Sequence, residues 1–336
     1  MSITQAKVAI ITVTFNSSGF IDNYLQAITP FINSTSHELI LIDNASTDDT
    51  IDQVKQHIKQ HKLQNNIHII PLAENVGFGR GCNTGITKAL EIKAAYMWFL
   101  NPDTEALTDS ADKLLSLFQT NKTVDFAGSL LTNEHKQIRA GAFRFPTIIN
   151  VCLSSLKLGF LDKLLKNHTT AIPIENHPYQ ADWLTGASFM ARSHCVEALG
   201  GFDPTFFLYF EEVDLFYRAK QKGFTVWCCS DSQIFHISGA STGINNQKND
   251  KSQHIKKYTP TKRQPSYWFE SRRYFYLSNY GKLYFTAVDL CQVSCLILWK
   301  LRAKLQKKDD DTPSHFIRDI IKYSYLNHLL TRIFSR

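Results

Sequence analysis

The order of apolar runs predicts an α/β protein with a doubly wound, mostly parallel sheet, followed by a helical C-terminal extension. Three observations support this. Strand-length apolar runs occur at 8–15 (VAIITVTF), 38–43 (ELILID), 67–71 and 96–100 (YMWFL), and the first is apolar enough to be buried on both faces. Helix-length segments alternate with these runs at short spacing. Polar groups fall at the strand ends, at Asn16-Ser17, Asp43-Asn44, Glu74-Asn75 and Asn101-Pro102-Asp103. Ligands of such sheets bind beyond the carboxyl ends of the strands.

Each element has a local reason. A helix is expected over 17–32, with Ser17 or Ser18 as N-cap and Pro30 near its end. The turn 44–49 (NASTDD) caps a helix running to about His61, and a third helix is expected over 81–93. Residues 142–174 read as a helical or loop insertion, and 224–229 and 234–236 as two strands. The polar stretch 239–265 reads as a loop, 267–305 as largely helical, 307–312 (KKDDDT) as a solvated hinge and 315–334 as a final amphipathic helix. Residues 1–265 are therefore expected to form the α/β body, in two halves of about 1–105 and about 106–265, with 266–336 as a basic helical extension.

With 43% apolar and 20% charged residues, the 336-residue chain is folded rather than disordered. From Lys282 onward there are ten Lys/Arg against five Asp/Glu, so the tail supplies about five of the seven net positive charges. That concentration, without a nucleic-acid motif, disfavours nucleic acid as partner. It suits an anionic bilayer surface, on which the tail helices would lie as a peripheral contact; packing on the body or a homodimer are the other uses of the same faces. The stretch 283–301 is apolar but carries Asp289, Gln292 and Lys300, too polar for a membrane span. Seven cysteines, an odd number without C-x-x-C, point to a reducing compartment. Residues 1–7 lack signal-peptide regions, so a cytoplasmic location is expected, on the inner face of the membrane if the tail binds there.

Several residues can carry chemistry. Asp43 can accept from a base N–H or a ribose hydroxyl, and serves equally as a turn or cap residue. Asp103 can ligate a divalent cation on a diphosphate, although Asn-Pro-Asp is also plain turn chemistry. The glycine run at 77–81 (GFGRG) fails the dinucleotide fingerprint, because Cys82 and Thr84 stand where a third glycine belongs. It would let backbone approach a ligand, with Arg80 beside a phosphate. Glu211, Glu212 and Asp214 stand among aromatic residues, where burial and mutual repulsion would raise a carboxyl into the range of a general base. A helix N-terminus would also favour acids there. His236, after a strand, is a further metal-ligand candidate.

Taken together, the segments VAIITVTFN (8–16), LIDNASTDDT (41–50), ENVGFGRGCNTGI (74–86), FLNPDTE (99–105), the run 181–223 and IFHISGAS (234–241) resemble glycosyltransferase family 2, in its rhamnosyltransferase-like branch. The later segment 270–282 (ESRRYFYLSNYGK) is similar to the family's post-catalytic helix. The resemblance implies a GT-A fold and an inverting transfer from a dTDP- or UDP-sugar, with L-rhamnose as first choice, to a glycan or polyprenyl-diphosphate-linked acceptor in cell-surface polysaccharide synthesis. It implies that Thr14, Asn16 and Asp43 line the nucleotide and that Asn75, Gly77 and Arg80 border the diphosphate. Trp183 and Gly186 would line the donor-sugar region. Asp103 and His236 would hold Mg²⁺ or Mn²⁺, and Glu212 would be the base, with Glu211 and Asp214 as its neighbours. Two positions depart from the family: Asn101 replaces the first Asp of D-x-D, and Glu212 replaces the usual Asp. They motivate an alternative, a catalytically impaired nucleotide-sugar-binding scaffold in a membrane assembly complex.

Overall fold

The computed structural model describes residues 7–34, 37–107, 109–237 and 262–328. In chain order the first elements are β1 (Val8–Thr14), α1 (Ile21–Ser34), β2 (Glu38–Asp43), α2 (Thr50–His61), β3 (Ile67–Pro71), α3 (Phe78–Glu91), β4 (Tyr96–Leu100), β5 (Thr104–Ala106) and α4 (Ser110–Thr120). There follow β6 (Phe126–Thr132), β7 (Ile138–Arg139), β8 (Ala142–Phe143), α5 (Ile148–Leu156), α6 (Gly159–Leu164), β9 (Tyr179–Gln180), β10 (Trp183–Leu184), β11 (Ser188–Arg192) and α7 (Ser193–Leu199). The last are α8 (Glu211–Gln221), β12 (Val226–His236), α9 (Ser266–Asn279), α10 (Gly281–Leu305) and α11 (Phe316–Tyr323). The chain forms two compact units. Described residues of the first fall in 7–143, 172–207 and 211–237, and of the second in 144–171, 208–210 and 262–328.

The first unit is built on one sheet of order β3-β2-β1-β4-β11-β6-β12-β5. β1 pairs in parallel with β2 and β4, and β2 with β3. Every residue of β1 is buried, as expected of a strand covered on both faces. Its side chains alternate between the two layers. Val8 and Ile10 join a core with Tyr24, Leu25 and Val54 of α1 and α2. Val13 and Ile11 meet α3 on the opposite face, where Gly81 and Gly85 let the helix approach; a Cβ on Gly85 would lie 2.6 Å from Ile11 Cγ2. The sheet is therefore doubly wound.

Past β4 the pairing becomes mixed. β11 is antiparallel to both β4 and β6, and β12 runs parallel to β6. Two antiparallel steps restore the original direction, so β4, β6 and β12 end at one edge and β11 starts there. The two strands expected at 224–229 and 234–236 are one strand, β12, with its register shifted between Cys229 and Gln233. The helix expected from Ser17 starts at Ile21, because Ser17 O accepts from the N–H groups of Phe20 and Ile21 and so begins the first turn. α3 starts at Phe78 rather than Gly81, so the glycine run lies inside a helix. Of the loop expected over 239–265, residues 239–261 lie outside the described residues, as do 329–334 of the final helix.

The second unit packs α5, α9 and α11 against α10. The helical stretch expected over 267–305 is two helices, divided at Tyr280 and Gly281, where Gly281 has φ 82°. Arg272 of α9 is buried. It donates to Asp289 Oδ1 at 2.7 Å and to Gln292 Oε1 at 2.9 Å, and it lies against the rings of Tyr276 and Phe285. Removing one member of a buried pair strands the other charge. Arg272→Leu should therefore destabilise the second unit by about 3–5 kcal/mol, and the double variant with Asp289→Leu should regain most of that loss. Chemical denaturation of both variants checks this; equal losses would show that packing, not charge pairing, matters here.

Candidate active site

The functional candidates sit where β1, β2 and β4 end, beside the start of β11 and the end of β12. Thr14 Oγ1 donates to Asp43 Oδ1 at 3.1 Å, and the Ser46 N–H donates to Asp43 Oδ2 at 3.2 Å, so neighbouring loops orient this buried carboxylate. Asn16, at φ 51°, joins the same loops. Its N–H donates to Ser46 Oγ at 2.9 Å, and its Oδ1 accepts from the Thr47 N–H at 2.8 Å. Asn44, which sequence reasoning took only as a turn residue, fixes the next loop. Its Nδ2 donates to Asn75 Oδ1 at 2.9 Å and to Gly77 O at 3.2 Å, and its Oδ1 accepts from the Val76 N–H at 2.9 Å. Its place after an apolar strand and next to Asp43 was the available signal.

Gly77 opens α3 at φ 88°, and a Cβ there would lie 2.2 Å from Phe207 O, so only glycine fits. Arg80 is exposed, and its Nε donates to Pro204 O at 2.7 Å. One edge of its guanidinium thus holds the loop after Phe202. Asn83 holds the same loop through both the N–H and the carbonyl of Phe202.

α8 begins with Glu211 and Glu212, acids that suit the positive end of a helix. The preceding Tyr209 and Phe210 have φ 69° and 68°, a left-handed pair of bulky residues that stores strain beside the two acids. Burial, and then the neighbouring Glu212 charge, push Glu211 well above the usual carboxyl range, and burial raises Glu212 to about 7. Glu211 Oε2 and Glu212 Oε2 are buried with no hydrogen-bond partner among the described residues. A Cβ on Gly186 would lie 4.0 Å from Glu212 Oε1 and 3.8 Å from Phe78 Cε1, so Gly186 keeps a gap in front of Glu212. Trp183, in the same segment, stacks on Phe143 at 4.4 Å.

The third acid of the group has another use. Asp214 Oδ2 accepts from Arg218 Nε at 2.7 Å, and Arg218 also donates to Leu199 O and Gly201 O. Arg218 thereby ties the end of α7 to α8, with Asp214 as its ionic partner.

Asp103 and His236 are brought together by pairing of β5 with β12. His236 Nε2 lies 3.4 Å from Asp103 Oδ1, both side chains being largely buried. Asn101 Oδ1 and His236 Nδ1 are buried without a partner among the described residues. A carboxylate beside an imidazole, with the unpartnered amide oxygen of Asn101 two residues earlier in the chain, offers nitrogen and oxygen donors of the kind that fit a divalent cation such as Mg²⁺ or Mn²⁺. A further group of donors, Asp125, His194 and Cys195, lies at the opposite edge of the sheet, away from these residues.

The contacts connect most of the expected residues. Asp43 leads through Asn44 to Asn75 and Gly77, and two residues into α3 the Cβ position of Gly79 lies 3.5 Å from Glu211 Cβ. Glu212 faces Gly186, and the next residue, Ala187, accepts from the Asn101 N–H, two residues before Asp103.

The raised pKa of Glu212 has a consequence for stability. Between about pH 4.5 and pH 7 the folded chain retains a proton on Glu212 that the unfolded chain has released. This contribution is therefore present at low pH and lost as pH rises through 7. Glu212→Gln removes it, so the melting temperature of the variant relative to wild type should rise between pH 5 and pH 8. A constant difference would mean that Glu212 titrates as an ordinary carboxyl.

Known proteins share this chain's fold and parts of its sequence. The glycosyl transferase family 2 profile matches residues 9–166. The N-acetylglucosaminyl-diphospho-decaprenol L-rhamnosyltransferase of Mycobacterium tuberculosis is 24% identical over 245 residues, 70% of this chain and 77% of that protein. The low-salt glycan biosynthesis hexosyltransferase Agl10 of Haloferax volcanii is 24% identical over 230 residues, 68% of this chain and 66% of that one. Among solved structures, S. aureus TarS 1–349 in complex with UDP-GlcNAc has a TM-score of 0.53 at 14% identity, covering 94% of this chain and 81% of that one. GalNAc-T7 with UDP, GalNAc and Mn²⁺ has a TM-score of 0.53 at 14% identity, covering 98% of this chain and 58% of that one. The sheet order and the matched segments lead to one conclusion: the chain is a glycosyltransferase built on a GT-A fold, whose residues 9–166 match family 2 and which is similar to a rhamnosyltransferase and a hexosyltransferase.

Proposed function

We propose that this glycosyltransferase moves a sugar, L-rhamnose from dTDP-rhamnose as first choice, onto a glycan or polyprenyl-diphosphate-linked acceptor with inversion at the anomeric carbon, in cell-surface polysaccharide synthesis. The observation that carries the mechanism is Glu212, half-buried, raised to about 7 and facing the gap kept by Gly186. A base with an acidity constant near the working pH combines ionisation with proton affinity. In the proposed step the acceptor O–H gives its proton to Glu212. The oxygen's electron pair attacks C1 of the donor sugar while the C1–O bond to the diphosphate breaks. The leaving oxygen keeps that electron pair and departs from the opposite face. Burial and the Glu212 charge push the Glu211 carboxyl upward, which disfavours a second charge beside Glu212.

Asp43 is assigned to the base or ribose, with Thr14 and Asn16 setting its loop, and the backbone from Asn75 to Gly77 to the diphosphate. Arg80 has a guanidinium edge remaining for the same phosphates. Asp103 and His236, with Asn101 Oδ1, would hold a divalent cation, which when bound offsets charge on the departing diphosphate. Trp183 and Gly186 would border the donor sugar. The relatives support the donor and acceptor classes: one is a rhamnosyltransferase acting on a diphospho-decaprenol glycan.

Two experiments test this. Nucleoside diphosphate release with a panel of dTDP- and UDP-sugars should follow a rising pH profile centred near 7, and Glu212→Gln should lower turnover by about 10²–10⁴-fold. That variant should still bind donor by thermal shift; retained turnover, or retained complementation of glycan synthesis, would favour the scaffold reading. Asp103→Asn and His236→Ala should each remove the dependence of donor affinity on Mg²⁺ or Mn²⁺ in calorimetry. Unchanged cation dependence in both variants would place the cation elsewhere.

A further inference from the structure

We infer that the solvent face of α10 is a surface that seats the protein, in plane, on an anionic bilayer. Residues 281–305 are long and apolar enough to cross a membrane by length and composition, yet their packing gives them two unlike faces. One face carries Phe285, Val288, Asp289, Gln292, Leu296, Trp299 and Ala303, all buried, with Asp289 and Gln292 held by Arg272. The other carries Leu283, Leu290, Ile297, Leu301 and Leu305, spaced by seven, seven, four and four residues, which align along one side of a helix. All five are exposed, Leu283 by 89% and Leu305 by 85%. The stripe runs for about 33 Å at 1.5 Å per residue. An exposed apolar stripe of this length, broken only by Ser294 among the positions along it, calls for a partner. Because the opposite face is committed to other helices through a buried ionic cluster, α10 can offer lipid one side only, which favours lying in the interface over spanning it.

Charge selects the occupant. Exposed Lys282 stands at one end of the stripe, and exposed Lys304, Lys307 and Lys308 at the other. Of the three aspartates nearby, Asp310 is paired with Lys300 and Asp311 with Lys157, and exposed Asp309 offsets one of the three lysines, so this end keeps a net positive charge. α6 is tied to the same end, because Arg302 donates to the carbonyls of Leu156 and Lys157 just before it. It adds Phe160 and Leu164, exposed by 65% and 75%, with exposed Lys163 between them. Two copies of α10 facing each other, parallel or antiparallel, would bring lysine against lysine, whereas anionic headgroups neutralise both ends.

The surface lies in the second unit, so it stands apart from the donor assignment. The test is flotation of the full chain with vesicles of phosphatidylethanolamine and phosphatidylglycerol, against phosphatidylcholine alone. Wild type should float with the anionic vesicles only. Ile297→Glu with Leu301→Glu, at exposed positions, should lower the bound fraction at least about tenfold. Lys304→Glu with Lys308→Glu should lower binding to anionic vesicles roughly 20-fold. Release of nucleoside diphosphate to a soluble acceptor should be the same for wild type and both double variants. No flotation of wild type, or flotation unchanged in the Glu variants, overturns the proposal. So does a dimer in light scattering that the Glu variants split without any effect on flotation, which would make a second copy the occupant. Loss of donor binding by wild type would count against the proposed function alone.

Discussion

Parallel pairing of β1 with β2 and β4 is the constraint on which the rest of the first unit depends. It aligns Thr14 with Asp43 across one register and places Leu100 at the same edge. Parallel strands cannot be joined by tight turns, so helices must cross between them, and each crossing delivers a polar loop to that edge. Antiparallel β11 then brings Gly186 and Ala187 in from the opposite direction, beside Asn101. A slip of one residue between β1 and β2 would turn Asp43 away from Thr14 and reverse the alternation that feeds both cores.

That edge is where the fold accepts unfavourable local terms. Two carboxyls are buried in sequence at the head of α8, preceded by two aromatic residues in left-handed conformation. Each feature destabilises the folded chain, and both are held by surroundings that are already fixed. Phe202 and Phe189 pack against Phe99, and Phe216 packs against Phe189. Asn83 and Arg80 secure the loop that carries Phe202 and Phe207. Desolvation, with no positive neighbour among the described residues to oppose it, raises the Glu212 carboxyl.

The strands of the first half were legible because they are local. The bounds of β2, β3 and β4 coincide with the apolar runs, since strands buried on both faces leave little ambiguity. Helix starts were less legible: Ser17 begins α1 through its carbonyl, and the glycines of α3 read as a loop although small residues are what let that helix reach Val13 and Ile11. The antiparallel insertion of β11 and the bulge of β12 depend on partners about 60 to 100 residues distant, which no local pattern displays. Among site residues, the proximity of Asp103 and His236 followed from motif order, and the structure brings them within 3.4 Å. Asp214 was grouped with its neighbours by sequence distance, yet its spacing of four from Arg218 already spelled a helical ion pair.

The same logic separates the two faces of α10. Sequence alone counted Asp289, Gln292 and Lys300 against a membrane span, and the first two prove to belong to the internal packing of the second unit rather than to solvent. Once they are assigned to the buried side, the remaining surface is more apolar than composition suggested. Polarity averaged around a helix conceals two faces with opposite needs: one that must satisfy a buried guanidinium, and one that remains without a protein partner among the described residues. Burial of Asp289 raises its carboxyl while Arg272 opposes that shift, so while the carboxyl is buried its charge depends on the Arg272 contact. The ionic contact thereby fixes which side of α10 is outward, and with it the direction in which the apolar stripe can meet a lipid surface.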